Sequence, residues 1–166
     1  MARKNSLSHV RSSGKARMVD VSAKRATKRS AIAEAWITVG PDIAERLRQS
    51  GGVAKGNVLE TARLAGILGA KQTPNLIPMC HPLPLDSVEV EARLIGRRVR
   101  IVASIRCESK TGVEMEAMTA ASVAALTVYD MIKSAGKGVQ IGPVRLLAKR
   151  GGRSGHWKRK CEDGED

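Results

Sequence analysis

A chain of 166 residues, 42% hydrophobic and 27% charged, suits one domain whose core needs no disulfides. No apolar run approaches the roughly 18–20 residues that cross a bilayer, and Met1–Ser6 lacks the apolar centre of a secretory signal. Three widely spaced cysteines (Cys80, Cys107 and Cys161) without a Cys-x-x-Cys pair argue against a disulfide framework or structural zinc and point to the cytoplasm, while a net charge of +13 points to an anionic partner.

Residues 1–18 carry no hydrophobic period and are expected to form a mobile N-terminal arm, followed by one domain over 19–157 and a charged tail over 158–166. Arg29–Val39 alternates as a strand does, with Ile32, Glu34, Trp36 and Thr38 on one face. Gly40-Pro41 ends it, and Pro41 opens a helix that turns Ile43 and Leu47 inward until Gly51-Gly52 closes it. Asn57, with Glu60 three residues on, caps a second helix over Val58–Ala70. Its Ala62, Ala65, Gly66, Gly69 and Ala70 let another helix come close, within or between subunits.

After Thr73-Pro74 comes Ile77–Leu85, whose three prolines forbid regular helix or central strand and predict a stiff loop. Ser87–Leu94 and Arg98–Cys107, joined around Gly96, alternate as a hairpin. Thr111–Ala135 predicts a long helix, with Thr111 and Glu114 at capping-box spacing and Met118, Ala121, Ala125, Val128 and Ile132 in one apolar stripe. Gly136 ends it, Val139–Lys149 is the last strand, and a glycine-rich loop follows over Gly151–Gly155. This order predicts an α+β, ferredoxin-like (split βαβ) fold with an extra helix in the first crossover.

The anionic partner is narrowed by the aromatic count. There is no Phe, and only Trp36, Trp157 and Tyr129 could stack on bases, so the chain is poorly equipped as a single-strand or sheet-type RNA reader. Cations such as Arg3, Lys4, Arg11, Lys15 and Lys158–Lys160, taken singly, fit a solvated surface equally well.

Several residues could carry chemistry. Asp130 and Lys133 share a face near the end of the long helix, where they could serve as acid/base group and phosphate anchor or simply as a surface ion pair. His81, between Cys80 and Pro82 in the stiff loop, could be a general acid or base, or a structural histidine. No other histidine stands at metal-ligand spacing from it. Glu114-Met115-Glu116 opens the long helix, where carboxylates suit the positive end of its dipole. Either carboxylate could also accept two N–H bonds from a guanine-type ring edge. Lys55-Gly56-Asn57 precedes a helix N-terminus, and Lys149-Arg150-Gly-Gly-Arg153 is a basic, glycine-rich loop; both are anion sites in principle, and neither is a Walker A loop.

Together these segments resemble the cyclic pyranopterin monophosphate synthase family, protein C of molybdenum cofactor biosynthesis. The likeness runs from about Leu7 to Trp157, through Met18–Lys24, Ala62–Ile67, Ile77–Leu83, Thr111–Ala117, Ser122–Met131 and Val144–Lys149. Because it begins near Leu7, no transit peptide is expected. The resemblance implies a ferredoxin-like subunit in a homohexamer, a trimer of dimers. It implies a lyase that converts cyclised dihydro-GTP (3′,8-cyclo-7,8-dihydroguanosine triphosphate) into cyclic pyranopterin monophosphate with release of pyrophosphate. The family's active-site aspartate and helix lysine fall on Asp130 and Lys133, its substrate contacts on Met79, Cys80, His81, Met115 and Glu116, and its other lysines on Lys55 and Lys149. Asn57, Ile132, Arg150, Arg153 and His156 depart from the family pattern.

On this reading Lys55, Lys133, Lys149 and Arg153 hold the triphosphate, Asp130, His81 and Lys133 move protons, and Glu114 and Glu116 orient the base. No cofactor is required; Mg2+ would come with the triphosphate, since no carboxylate cluster for it is evident. The partner is a small nucleotide, with no nucleic acid and no membrane. The alternative, a basic nucleic-acid-binding ferredoxin-like domain, would show steep salt-dependent binding indifferent to the cyclised nucleotide. A long helix separates Glu114 and Glu116 from Asp130 and Lys133 by about 20–25 Å at roughly 1.5 Å per residue, so a site between subunits is expected.

Overall fold

The computed structural model describes residues 14–50, 52–53, 56–152 and 155–160. Strand β1 (Thr27–Thr38) turns at Gly40, whose φ of +77° suits glycine, into helix α1 (Pro41–Ser50). The short pair β2 (Gly52–Val53) and β3 (Gly56–Asn57) leads into α2 (Val58–Leu76). Asn57 Oδ1 accepts from the Glu60 N–H at 3.0 Å, the cap that their spacing predicts.

Helix α2 does not stop near Ala70; it runs through Pro74 to Leu76. Within the last turn a proline removes one backbone bond, and its neighbours keep theirs. Thr73 Oγ1 donates to the Gly69 carbonyl at 3.2 Å, and the Ile77 N–H donates to the Thr73 carbonyl at 2.9 Å.

Strands β4 (Ser87–Ile95) and β5 (Arg98–Ser109) form the expected hairpin around Gly96. Helix α3 (Glu114–Ile132) begins two residues later than the capping box at Thr111 predicts. Val113 holds the N-cap position without a side-chain bond, and the Thr111 carbonyl accepts from Ser109 Oγ at 2.6 Å. The Glu114 carboxylate turns instead to a lysine on the next strand, β6 (Gln140–Arg150). A short strand β7 (His156–Lys158), too brief to show a period in sequence, pairs with β6.

The sheet order is β4-β5-β1-β6-β7, each neighbour antiparallel. Its first four strands follow the split βαβ, ferredoxin-like plan. Ala31, Ala33, Ala35 and Ile37 of β1 and Val99, Ile101, Ala103 and Ile105 of β5 fill the core beneath α2 and α3. Burying an isoleucine such as Ile101 contributes about 1.5–3 kcal/mol. The alanines leave room only for close helices. A Cβ at Gly66 would meet the Ala120 carbonyl oxygen at 3.0 Å, and one at Gly69 would meet Val123 at 2.9 Å. The small residues of α2 therefore serve packing within the subunit.

The opposite face of β1 carries Ile32, Glu34 and Trp36. Glu34 is only 2% exposed, yet it is fully paired: Arg145 Nε donates to Oε1 and Arg100 Nε to Oε2, both at 2.8 Å. Burial pushes this carboxyl up, and the hydrogen bonds from Arg145 and Arg100 outweigh that and hold it below the usual range. The Arg98 and Arg100 guanidiniums lie 4.3 and 5.4 Å from the Trp36 ring centre.

Candidate active site

A cavity of about 330 Å³ opens where the start of α3 meets the proline loop and the segment that precedes β1. Met79, Cys80 and His81 line it from the loop, and Glu114, Met115 and Glu116 line it from the first turn of α3. Six of the residues singled out in the sequence thus share one wall-to-wall space. The loop is held by the Cys80 N–H, which donates to the Ile77 carbonyl at 3.0 Å.

His81 Nε2 lies 2.9 Å from the Val19 carbonyl oxygen. A carbonyl only accepts, so Nε2 carries a proton, and Nδ1 is the ring nitrogen left to face other partners. The same bond ties Val19, in the irregular stretch before β1, to the floor of the site.

Glu116 is 3% exposed, and its Oε2 is buried without a hydrogen-bond partner. Burial pushes its carboxyl up, its own backbone N–H pulls it back, and the neighbouring Glu114 raises it further. An uncompensated buried carboxylate is costly, so proton uptake is favoured here. Burial raises the Cys80 thiol, with a further push from Glu116 whenever that carboxyl is ionised, which keeps the thiol protonated and a poor nucleophile.

Glu114 is engaged differently. Its Oε1 accepts from Lys149 Nζ at 2.9 Å, with both side chains about one-third exposed. Gly112 makes room for it, because a Cβ there would overlap the Glu114 carboxylate.

Arg29 was not singled out in the sequence; it lines a second cavity, of about 510 Å³, together with Lys28, Asp86 and Arg150. It stands opposite Cys107 on β1, two residues from Ala31, which is opposite Lys149; all three therefore project on the helix side of the sheet. Its Nε is buried and unpartnered. Gly151 and Gly152, at φ +102° and +72°, fold over it, and a Cβ at Gly152 would overlap the guanidinium. A signal was present: Arg29 shares the alternation of Ala31, Ala33 and Ala35, so a cation sits on the face that buries alanines. Lys24, which lines the cavity beside His81 and Glu114, had no comparable signal.

Asp130 and Lys133 are elsewhere. They form an exposed 2.6 Å ion pair at the C-terminal end of α3, and the hydrogen bond that Lys133 donates to the Asp130 carboxylate raises the Lys133 ammonium. Fourteen residues separate Asp130 from Glu116 along α3, about 21 Å at 1.5 Å per residue. Lys55 and Arg153 lie outside the described residues. Among the described residues, no group of three or more His, Cys, Asp or Glu is gathered to hold a metal, and no helix is long and apolar enough to cross a membrane.

The chain is 50% identical to a cyclic pyranopterin monophosphate synthase of Streptomyces griseus, over all of this chain and 93% of that one. It is 52% identical to a protein of the same name from Streptomyces coelicolor (92% of this chain, 89% of the other) and 54% to one from Roseiflexus (90% and 95%). The family model of MoaC matches residues 18–152, from the Val19 segment over His81 to the Gly152 turn over Arg29, and the chain belongs to the MoaC family.

Proposed function

We propose that the chain is a lyase that converts 3′,8-cyclo-7,8-dihydroguanosine triphosphate into cyclic pyranopterin monophosphate and pyrophosphate, in molybdenum cofactor biosynthesis. One observation carries the reading: a MoaC-family chain gathers an imidazole and two carboxyls around one cavity, with a lysine bonded to one of those carboxyls.

Glu114 and Glu116 orient the base by accepting from its guanidine-like edge or, for a protonated Glu116, by donating to it. His81 Nδ1 takes up a proton and Glu116 supplies one as the purine five-membered ring opens and the pterin ring closes. Lys149 and Arg29, with Lys55 and Arg153, hold the phosphates and stabilise the charge on departing pyrophosphate, an electrostatic contribution that is commonly the largest in such reactions. No metal cofactor enters; Mg2+ arrives only as a counter-ion of the triphosphate.

Asp130 and Lys133 act in the site of a second copy. The distance along α3 supports this, as do Leu64 and Leu68 of α2 and Leu126 and Tyr129 of α3, which are 40–60% exposed. The assembly is a homohexamer, a trimer of dimers, working in the cytoplasm without nucleic acid or membrane.

The test is pyrophosphate release from the cyclised nucleotide by the full chain, with and without Mg2+. Stoichiometric pyrophosphate and pterin product support the reading, and absence of both overturns it. Light scattering on the same sample reads the assembly; a monomer that turns over would remove the second-copy role of Asp130 and Lys133.

A further inference from the structure

Arg145 and Lys149 stand four residues apart on β6, an even spacing that in a regular strand sends both side chains to one face. They go to opposite faces. Arg145 is opposite Glu34, away from the core, and Lys149 is opposite Ala31, on the side of α3. The alternation changes at Leu147, an extra residue between Leu146, opposite Ala33, and Ala148, opposite Ile32. That is a β-bulge, and a slip of one residue at a bulge re-aims every side chain beyond it.

Two irregularities interrupt the β1–β6 ladder. Val144–Leu146 lies between the Leu147 bulge and a second irregularity, where Ala35 is opposite Val144 but Ile37 is opposite Ile141. Within that short stretch, Arg145 reaches across to β1 and binds the nearly inaccessible Glu34. A buried carboxylate with two arginines is demanding about geometry, because a shifted partner leaves it uncompensated. Glu34 thereby penalises any other register of β6.

We propose that Glu34, acting through Arg145, is a positioning residue for Lys149: it fixes β6 on one side of the Leu147 bulge, so that the ammonium emerges beside Glu114. The inference rests on the reading of Lys149 as a phosphate-holding group. Arg100 supplies an internal control. It binds the other oxygen of the same carboxylate, but from β5, which does not carry Lys149.

The experiment compares Arg145→Met with Arg100→Met in the full chain. Each variant leaves Glu34 one arginine, so the two carry a matched loss at the carboxylate and differ in which strand is released. Trace acetylation followed by mass spectrometry reads the reactivity of the Lys149 amine, and pyrophosphate release reads turnover. Arg145→Met should label Lys149 several-fold faster than the parent protein, while Arg100→Met labels it at the parent rate. Arg145→Met should also lose on the order of ten- to a hundred-fold in turnover, the scale of an ångström-sized misplacement. Adding Lys149→Ala to it should cost nothing beyond Lys149→Ala alone.

Unchanged labelling in Arg145→Met, equal changes in both arginine variants, or additive turnover losses would each overturn the proposal. Glu34→Gln is the second variant, and must raise Lys149 labelling if Arg145→Met fails to fold. Because labelling does not need turnover, a parent protein without lyase activity would end the functional reading and still decide the positioning one.

Discussion

Glu114 and Lys149 meet at 2.9 Å across the seam between α3 and β6, joining the first turn of a helix to the end of a strand that lies far from it in sequence. The contact uses the carboxylate that a capping box would have kept for its own helix. It sets an ammonium against a carboxylate that lines the cavity.

Lys149→Ala should therefore lose on the order of a hundred- to a thousand-fold in pyrophosphate release, the usual effect of removing one donor from a developing anion. Unfolding should change little, because a third-exposed ion pair contributes about 0–1 kcal/mol. Steady-state turnover and a denaturation curve on the same preparation check both halves. A loss of stability with normal turnover would remove Lys149 from the chemistry.

The two unusual glutamates should act on stability in opposite directions as pH changes. Glu116 is raised in the folded protein, so between the unfolded and folded values the folded state binds more protons, and stability falls as pH rises through that window. Glu34 is lowered, so its contribution is present above the unfolded value and is lost as pH falls toward the folded one. Thermal midpoints against pH should show Glu116→Gln flattening the fall on the alkaline side. Glu34→Gln should flatten the loss on the acid side.

The helix pair should not accept a methyl group at Gly69. A Cβ there would stand 2.9 Å from Val123 Cβ and Cγ2, atoms close to the backbone that cannot swing aside. Overpacking of this kind costs about 1–3 kcal/mol, against a helix-propensity gain of about 1 for alanine over glycine. Gly69→Ala should lower the denaturant midpoint; an unchanged or higher midpoint would show that the helices have room to move apart.

Mixing should restore activity between inactive subunits if sites are shared. Glu116→Gln and Asp130→Asn proteins are each expected to be nearly inactive, with near-native stability for Asp130→Asn, whose ion pair with Lys133 is exposed. Dissociated and reassociated together, they should recover a fraction of parental turnover, because some mixed sites combine two intact halves. No recovery beyond the sum of the separate proteins would place all the machinery on one subunit.

Local features were legible in the sequence, and long-range ones were not. The Asn57 and Glu60 cap, the hairpin at Gly96 and the inward Ile43 and Leu47 are short-range consequences of spacing. The clustering of Met79–His81 with Glu114–Glu116 followed only from the resemblance, since nothing local brings a proline loop to a helix start. Thr111 failed as a cap because Glu114 had a better partner on β6, a competition that spacing does not reveal. Helix α2 outran Pro74 because a proline in a last turn removes only one bond. Strand β7 was too short to show alternation, and the Leu147 bulge exists only in relation to β1.

The pairing of Lys149 with Trp157 across β6 and β7 gives the molecule an optical consequence. An indole directly opposite the site lysine, 41% exposed, senses the local field and solvent whenever an anion settles on that ammonium. The other indole, Trp36, lies on the far face of the sheet against Arg98 and Arg100. With Trp36 replaced by Phe, the emission of Trp157 becomes a titration signal for ligand loading, read without turnover and without an added dye.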